Sequence, residues 1–369
     1  MVRVAIDAGP LHGPRTGIGN AVAWTLDALA ASSNDAAGLD IVAYVTSMRA
    51  KVQRPQRRLP IPAALAHRLW ARSSAIPMDR WLARPDVVHG TNYVVPPTKA
   101  PRIVSVYDCW FLDHPADAHP DVRRAGEVLR RSVADGATVA TSSHATADRV
   151  RELLGVEAHT VHLGPPPVVP GPATRPAAIP PPLDSHPFVV AIGTAERRKN
   201  LPKLVDAFAL VASEHPTAHL VLAGRDGDDS GSIARAISRL TPEAGERLVR
   251  LRDVDDVAKR WLLEHAAALA YPSLDEGFGF PVLEAQCVGT PVVASSAGSI
   301  PEVAGNAALL SLPNDAEALA ANLHWVLTSE AQRDRLIRLG HHNVERFSWN
   351  ATATALTTLY EQLAEEAHT

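Results

Sequence analysis

YPSLDEGFGFPVLEAQCVGTPVVAS, residues 271–295, runs from an apolar strand end through a glycine and aromatic loop into a proline-started helix and a second apolar strand. Ala267 to Tyr271 reads as a buried strand, Ser273 to Gly279 as the loop leaving its carboxyl end, and Pro281 as the first helical residue, where a missing N–H costs nothing. PVVAS (291–295) then reads as a second buried strand. Strand, helix and strand in this order form a β-α-β unit, the building block of a parallel sheet.

The same alternation extends outward in both directions. Candidate strands precede a proline-rich stretch at VRVAI (2–6), IVAYV (41–45), DVVHG (86–90), RIVSV (102–106) and ATVAT (137–141). FVVAIG (188–193), AHLVLAG (218–224), RLVRL (247–251), AALAYP (267–272), PVVAS and AALLS (307–311) follow it. Between the series, LGPPPVVPGPATRPAAIPPPLDSHP (163–187) has too much proline for a regular helix or a central strand. The expected organisation is an α/β chain of two doubly wound, Rossmann-like domains, residues 1–165 and 188–346, joined by a linker over 166–187. The carboxyl ends of their strands would face a central cleft. Residues 347–369 are expected to form a helix capped by Ser348 or Asn350 that can close either domain.

A length of 369 residues suits two cores. With 46% hydrophobic residues, 21% charged residues and a net charge of -4, the composition is that of a globular protein and argues against general nucleic-acid binding. Cys109 and Cys287 are too far apart to form a C-x-x-C pair, so they read as two buried thiols in a reducing cytoplasm. No apolar run is long enough to cross a membrane. There is no H-E-x-x-H pattern, and His341 and His342 read as surface residues, so no metal site is expected.

The opening stretch also carries chemistry. Unpaired N–H groups near Val282 and Leu283, with the helix dipole, favour an anion such as a diphosphate. Gly277 and Gly279 let the backbone approach it closely. Glu284, one turn into the helix, can accept hydrogen bonds from the vicinal hydroxyls of a ribose, while Glu276 can reach the sugar beyond the diphosphate. A glycosidase pair would need its carboxyls about 5 to 9.5 Å apart. Eight residues of continuous helix would separate them by about 12 Å, so that reading requires the loop to fold back.

These residues resemble the signature of the retaining glycosyltransferases of the group 1 type, which have the GT-B fold, with Glu276 and Glu284 as the Glu-x7-Glu pair. The resemblance implies that Glu284 binds the donor ribose and that Glu276 lies by the transferred sugar. It places the backbone of Phe278, Phe280, Val282 and Leu283 at the phosphates. AIGTAERRKNLPKLVDAFAL (191–210) is similar to the family's strand, glycine turn at Gly193 and Arg-Lys-Asn helix start. Arg198 and Lys199 can neutralise the leaving diphosphate without a metal, and Arg197 stands where many relatives carry proline. Val254 is placed beside the nucleobase.

In the first domain, the resemblance puts Gly17, Ile18 and Gly19 of RTGIGN (15–20) near the reacting phosphate and acceptor. Taken alone, that segment is as readily a turn. HGTNYVVPP (89–97), with Asn92, and VYDCWFLDHP (106–115) resemble acceptor-side loops. Asp108 matches the acid of the family's His-Asp pair, with Tyr107 in the histidine position.

The implied activity is retaining transfer of a hexose, mannose from GDP-mannose being favoured, to a glycan or lipid-linked acceptor. The nucleotide sugar is a co-substrate, and no cofactor is expected. A phosphorylase or hydrolase on the same fold, or a non-catalytic nucleotide-sugar sensor, is the alternative. Residues 47–84 contain nine lysines and arginines against the single acid Asp79, with Leu65, Leu69, Trp70 and Trp81 interspersed. Part of this stretch can be an amphipathic helix lying on anionic lipid at the inner face of the membrane; a basic face packed on the first domain is the other reading.

Overall fold

The computed structural model describes residues 1–13, 16–33, 38–48, 50, 56–167, 171 and 174–367. Arg15, Arg49, Lys51 and Arg54 fall outside the described residues. The chain divides into two units, one of Met1–Gly164 with Phe347–Thr369 and one of Pro165–Arg346. The proline-rich stretch therefore clusters with the second unit.

The first unit holds a parallel sheet of β1 (Val2–Asp7), β2 (Leu39–Val45), β3 (Arg57–Arg58), β4 (Val87–Gly90), β5 (Arg102–Val106), β6 (Thr138–Thr141) and β7 (Ala158–Thr160), in the order β3-β2-β1-β4-β5-β6-β7. The order reverses between β1 and β4, where ligands of doubly wound sheets bind at the carboxyl ends of the strands. Both faces are covered, which is why the central strands read as continuous apolar runs. One face packs Leu59, Trp70, Val88, Val104 and Leu129. The other packs Val4, Ile6, Leu29 and Ile103 against Ala353, Leu356 and Tyr360 of the terminal helix Trp349–Glu366. That helix is capped by Ser348, whose hydroxyl accepts from the Ala351 N–H at 3.1 Å.

The second unit is a six-stranded parallel sheet of β8 (Phe188–Ile192), β9 (His219–Ala223), β10 (Leu248–Leu251), β11 (Ala268–Tyr271), β12 (Val292–Ser295) and β13 (Leu309–Ser311), ordered β10-β9-β8-β11-β12-β13. Its order reverses between β8 and β11. The loops that follow these two strands carry Lys199 and Glu276. No helix among the described residues is long and apolar enough to cross a membrane.

Candidate active site

In the second unit, β8 feeds a 3-10 turn over Arg197–Lys199. Asn200, in the left-handed conformation, then redirects the chain into the helix Leu201–Glu214. Its side chain holds that turn by donating to the carbonyls of Pro272 at 3.1 Å and Pro313 at 2.8 Å. The Arg-Lys-Asn segment is thus a separate turn rather than a helix start, because an αL residue cannot continue an α-helix. Arg197 points to solvent, with its N–H donated to Asp228, while Arg198 turns inward.

The Glu276 loop is stitched against this turn. The Leu274 N–H donates to the Arg198 carbonyl at 2.7 Å, the Ser295 hydroxyl to the Ser273 carbonyl at 2.5 Å, and the Ser299 N–H to the Glu276 carbonyl at 2.9 Å. The carboxylate, 5% exposed, accepts from Lys199 Nζ at 2.5 Å, Arg198 Nη1 at 2.7 Å and the Ser273 hydroxyl at 2.8 Å. Burial by itself would raise the Glu276 pKa. The two cations and the Lys199 and Ser273 hydrogen bonds outweigh it and hold the carboxyl at about 2. Burial also pulls Lys199 below its ordinary value against the attraction of Glu276. One carboxylate facing two cations remains firmly ionised, and Lys199 is the less well compensated partner. Lys199 also donates to the Tyr271 hydroxyl at 2.8 Å and lies beside Gly193.

Gly277 and Phe278 lead to Gly279, whose φ of 95° would strain any other residue, and the helix Phe280–Cys287 begins behind it. Phe280, not Pro281, is the first helical residue. The first turn is tight, and the Val282 N–H donates to the Gly279 carbonyl at 3.0 Å. That donor is therefore already used within the turn. Val282 and Leu283 side chains are buried, and the Phe278 and Phe280 rings meet edge to face. Glu284 faces Lys259 of the helix Asp256–His265, with Nζ donating to Oε1 at 2.7 Å. Val254 packs on the cluster that includes Val282 and Ala285. The structure thus brings Glu276, Arg198, Lys199 and Gly193 together and gives Glu284 a separate basic partner. Lys259, Ser273 and Tyr271 were not singled out as site residues in the sequence.

The other predicted residues lie in the first unit. Gly17, Ile18 and Gly19 are the first turn of the helix Gly17–Ser33, not an open turn. The Thr16 hydroxyl accepts from the Gly19 N–H at 3.2 Å, and a Cβ at Gly19 would come within 2.8 Å of the Pro10 carbonyl oxygen, so the close approach requires glycine. Asn92 is half-buried beside Tyr93, whose φ of 60° is costly for a bulky residue. Asp108 accepts from the Tyr93 hydroxyl at 3.3 Å and from the Trp110 N–H at 3.2 Å. Cys109 is buried, but Cys287 is only half-buried, at the end of a short helix.

Asp7 was not singled out either. It ends β1 at the point where strand order reverses, and its Oδ1 accepts from the Gly9 N–H at 2.9 Å. No cation among the described residues pairs with it, and burial, against the Gly9 bond, pushes its carboxyl up to about 7. Beside it, its register partner Tyr44 buries a hydroxyl with no hydrogen-bond partner among the described residues. On the neighbouring strands, His89 bridges the Tyr360 hydroxyl at 2.7 Å and the Ser105 hydroxyl at 2.8 Å, and burial lowers its pKa to about 4, so it is neutral.

Among its described residues the basic stretch forms one short helix, Ala63–Trp70, besides the two-residue strand β3. Leu65 and Leu69 point outward at 48% and 45% exposure, whereas Trp70 is in the core at 4%. The four apolar residues therefore do not share one face. Arg57, Arg68, Arg72 and Arg80 are exposed, and Arg80 stacks on the Trp81 ring.

Residues 178–342 match the protein family described as glycosyl transferases group 1. Over 177 residues the chain is 34% identical to O-antigen chain mannosyltransferase B of Escherichia coli, covering 48% of this chain and 46% of that protein. It is 31% identical over 175 residues to phosphatidyl-myo-inositol mannosyltransferase of Mycobacterium leprae, covering 46% and 44%. The chain thus spans about half the length of the curated relatives it matches. Sucrose-phosphate synthase from Thermosynechococcus elongatus superposes with a TM-score of 0.70 at 20% identity, covering 98% of this chain and 99% of the other. The glycosyltransferase WaaG, involved in lipopolysaccharide biosynthesis, gives 0.68 at 15% identity, covering 96% and 99%. The α/β GT-B fold expected from the sequence is the fold these proteins share with it.

Proposed function

We propose, from the match of residues 178–342 to the group 1 glycosyl transferases, that the chain is a retaining, metal-independent hexosyltransferase moving mannose from GDP-mannose to a glycan or lipid-linked acceptor. The observation that carries this reading is the buried meeting of Arg198, Lys199 and Glu276 at the reversal point of the second sheet. In this reading the two cations neutralise the charge that develops on a diphosphate leaving group, the work a divalent ion does in other transferases. The mannosyltransferase relatives favour mannose as the transferred sugar.

In this reading Glu284 holds the ribose, and Lys259 orients its carboxylate. Val254 borders the base. Glu276 positions the sugar, and its ionised state lets it accept sugar hydroxyls. The bond between the anomeric carbon and the diphosphate oxygen breaks, and the acceptor oxygen bonds to that carbon on the same face. The acceptor proton passes to the leaving phosphate oxygen, while Lys199 and Arg198 stabilise the charge that remains. Glu276, locked between two cations, is a poor covalent nucleophile, which favours this front-face course. On the first unit, Gly17, Ile18, Gly19, Asn92 and Asp108 serve the acceptor side.

The test is product analysis with GDP-mannose and other nucleotide sugars, with and without sugar acceptors. The expected result is an acceptor-dependent glycoside of retained configuration, formed equally after EDTA treatment. Free sugar or sugar phosphate in the absence of acceptor would indicate a hydrolase or phosphorylase. Binding without turnover would indicate a sensor, and EDTA inhibition reversed by Mg²⁺ would assign the charge to a metal.

A further inference from the structure

At the far end of the helix Leu201–Glu214, three side chains unrelated to the donor residues converge. His215 Nε2 lies 3.1 Å from His324 Nδ1, and Glu214 Oε2 lies 2.8 Å from the same nitrogen. All three donor atoms are within 4.8 Å of one another. His324 belongs to the helix Ala316–Thr328, so the group joins two neighbouring helices of the second unit. We propose that Glu214, His215 and His324 form a binding site for a borderline divalent cation, Zn²⁺ being the example, that clamps these two helices together.

Three arguments support the site. First, bonds of about 2.0 to 2.2 Å to a single ion separate adjacent ligand atoms by roughly 2.8 to 3.5 Å, and the contacts of 3.1 and 2.8 Å fall in that range. Second, His324 Nδ1 offers one proton or one lone pair, yet it faces an imidazole nitrogen and a carboxylate oxygen together. A hydrogen bond satisfies one of these contacts well and the other poorly, whereas an ion between them satisfies both. Third, the carbonyl end of a 14-residue helix carries partial negative charge, which favours a cation there. Arg247 is a nearby cation. It is engaged through the carbonyls of Ala212, His215 and Ala218 and leaves the imidazoles and the carboxylate available.

Two imidazoles and a carboxylate suit Zn²⁺, Co²⁺ or Ni²⁺ better than Mg²⁺ or Ca²⁺, which prefer oxygen. Water would complete the coordination of this half-exposed site. With a rise of 1.5 Å per residue, the helix places it about 20 Å from Asn200, so the ion would brace the unit and take no part in transfer.

The experiment uses the full chain, stripped with chelator and dialysed, with ZnCl₂ as the probe. Calorimetry should show a site with a stoichiometry near one, and the melting temperature should rise with Zn²⁺ and fall on chelation. His324→Ala and, separately, His215→Gln should each weaken that site at least tenfold while leaving the zinc-free melting temperature within about two degrees. Circular dichroism checks that both variants are folded. No Zn²⁺ binding by the wild type, or binding unchanged in both variants, overturns the site. Because the readouts are binding and melting, the result is independent of whether the transferase reading holds.

Discussion

Replacing Glu276 by glutamine removes one negative charge from the most tightly coupled group in the second unit. In the folded protein the carboxyl titrates at about 2, against 4.5 for a free glutamate, and that difference stabilises the fold by about 3 kcal/mol at neutral pH. The sign follows from the depressed value. The contribution is complete above about pH 4.5 and is lost as pH falls through 2. Glutamine also turns an amide donor toward Lys199 or Arg198 and leaves their charges buried without compensation, a loss of about 3 to 5 kcal/mol for a broken buried pair. Lys199 is only 12% exposed and is already pulled down by burial, so it can shed its proton and recover part of the loss. Urea unfolding at pH 7 should therefore show Glu276→Gln about 2 to 4 kcal/mol less stable than wild type. The double variant Glu276→Gln/Lys199→Met should regain at least 1 kcal/mol, because it removes the orphaned charge. Turnover should fall in both variants and should not recover in the second. A single variant within 0.5 kcal/mol of wild type, or a double variant no more stable than the single, would refute the view that Glu276 is held by its two cations.

Glu284→Ala should weaken binding of the nucleoside diphosphate by about 1.5 to 3 kcal/mol, the worth of a hydrogen bond to a charged group, with Lys259→Met weakening it less; isothermal titration checks both, and an unchanged affinity for Glu284→Ala removes it from the ribose site. Asp7→Asn should stabilise the protein. Its carboxyl is raised in the folded state, so the wild type loses stability as pH climbs from about 4 to about 7, and the variant should gain roughly 2 kcal/mol at pH 8, after allowance for partial exposure, and almost nothing at pH 4. Thermal melts at the two pH values that show the same difference would reject the raised value. If the basic surface near Leu65 and Leu69 meets anionic lipid, the protein should co-sediment with anionic vesicles but not neutral ones, and lose that binding in high salt and in the Arg57→Glu/Arg68→Glu/Arg72→Glu variant. A protein that stays in the supernatant at low salt would leave a basic face that contacts no membrane.

Which parts of this molecule can be read from its sequence depends on whether the determining interactions are local. The central strands were legible because burial on both faces leaves only apolar residues at positions such as Phe188–Ile192 and 220–223. The short strands β3 and β7, two and three residues long, were not, since so few residues show no period. The meeting of Glu276 with Arg198 and Lys199 was anticipated only as a shared ligand site. Their direct pairing depends on the αL turn at Asn200 and on the bond between Leu274 and the Arg198 carbonyl, neither of which a linear pattern encodes. Lys259 was missed for a related reason. It stands 25 residues before Glu284 on another helix, in a segment that reads as an ordinary amphipathic surface. Asp7 was hidden by its own strand, because one acid after five mostly apolar residues looks like a solvated strand end. The burial that raises its pKa appears only when the neighbouring strands are placed around it. Charge pairs across elements, more than the elements themselves, are what folding adds to the sequence here. The site's electrostatics rest on those pairs, so exchanging Lys259 or Ser273 should alter donor handling although neither lies in the Glu-x7-Glu pattern.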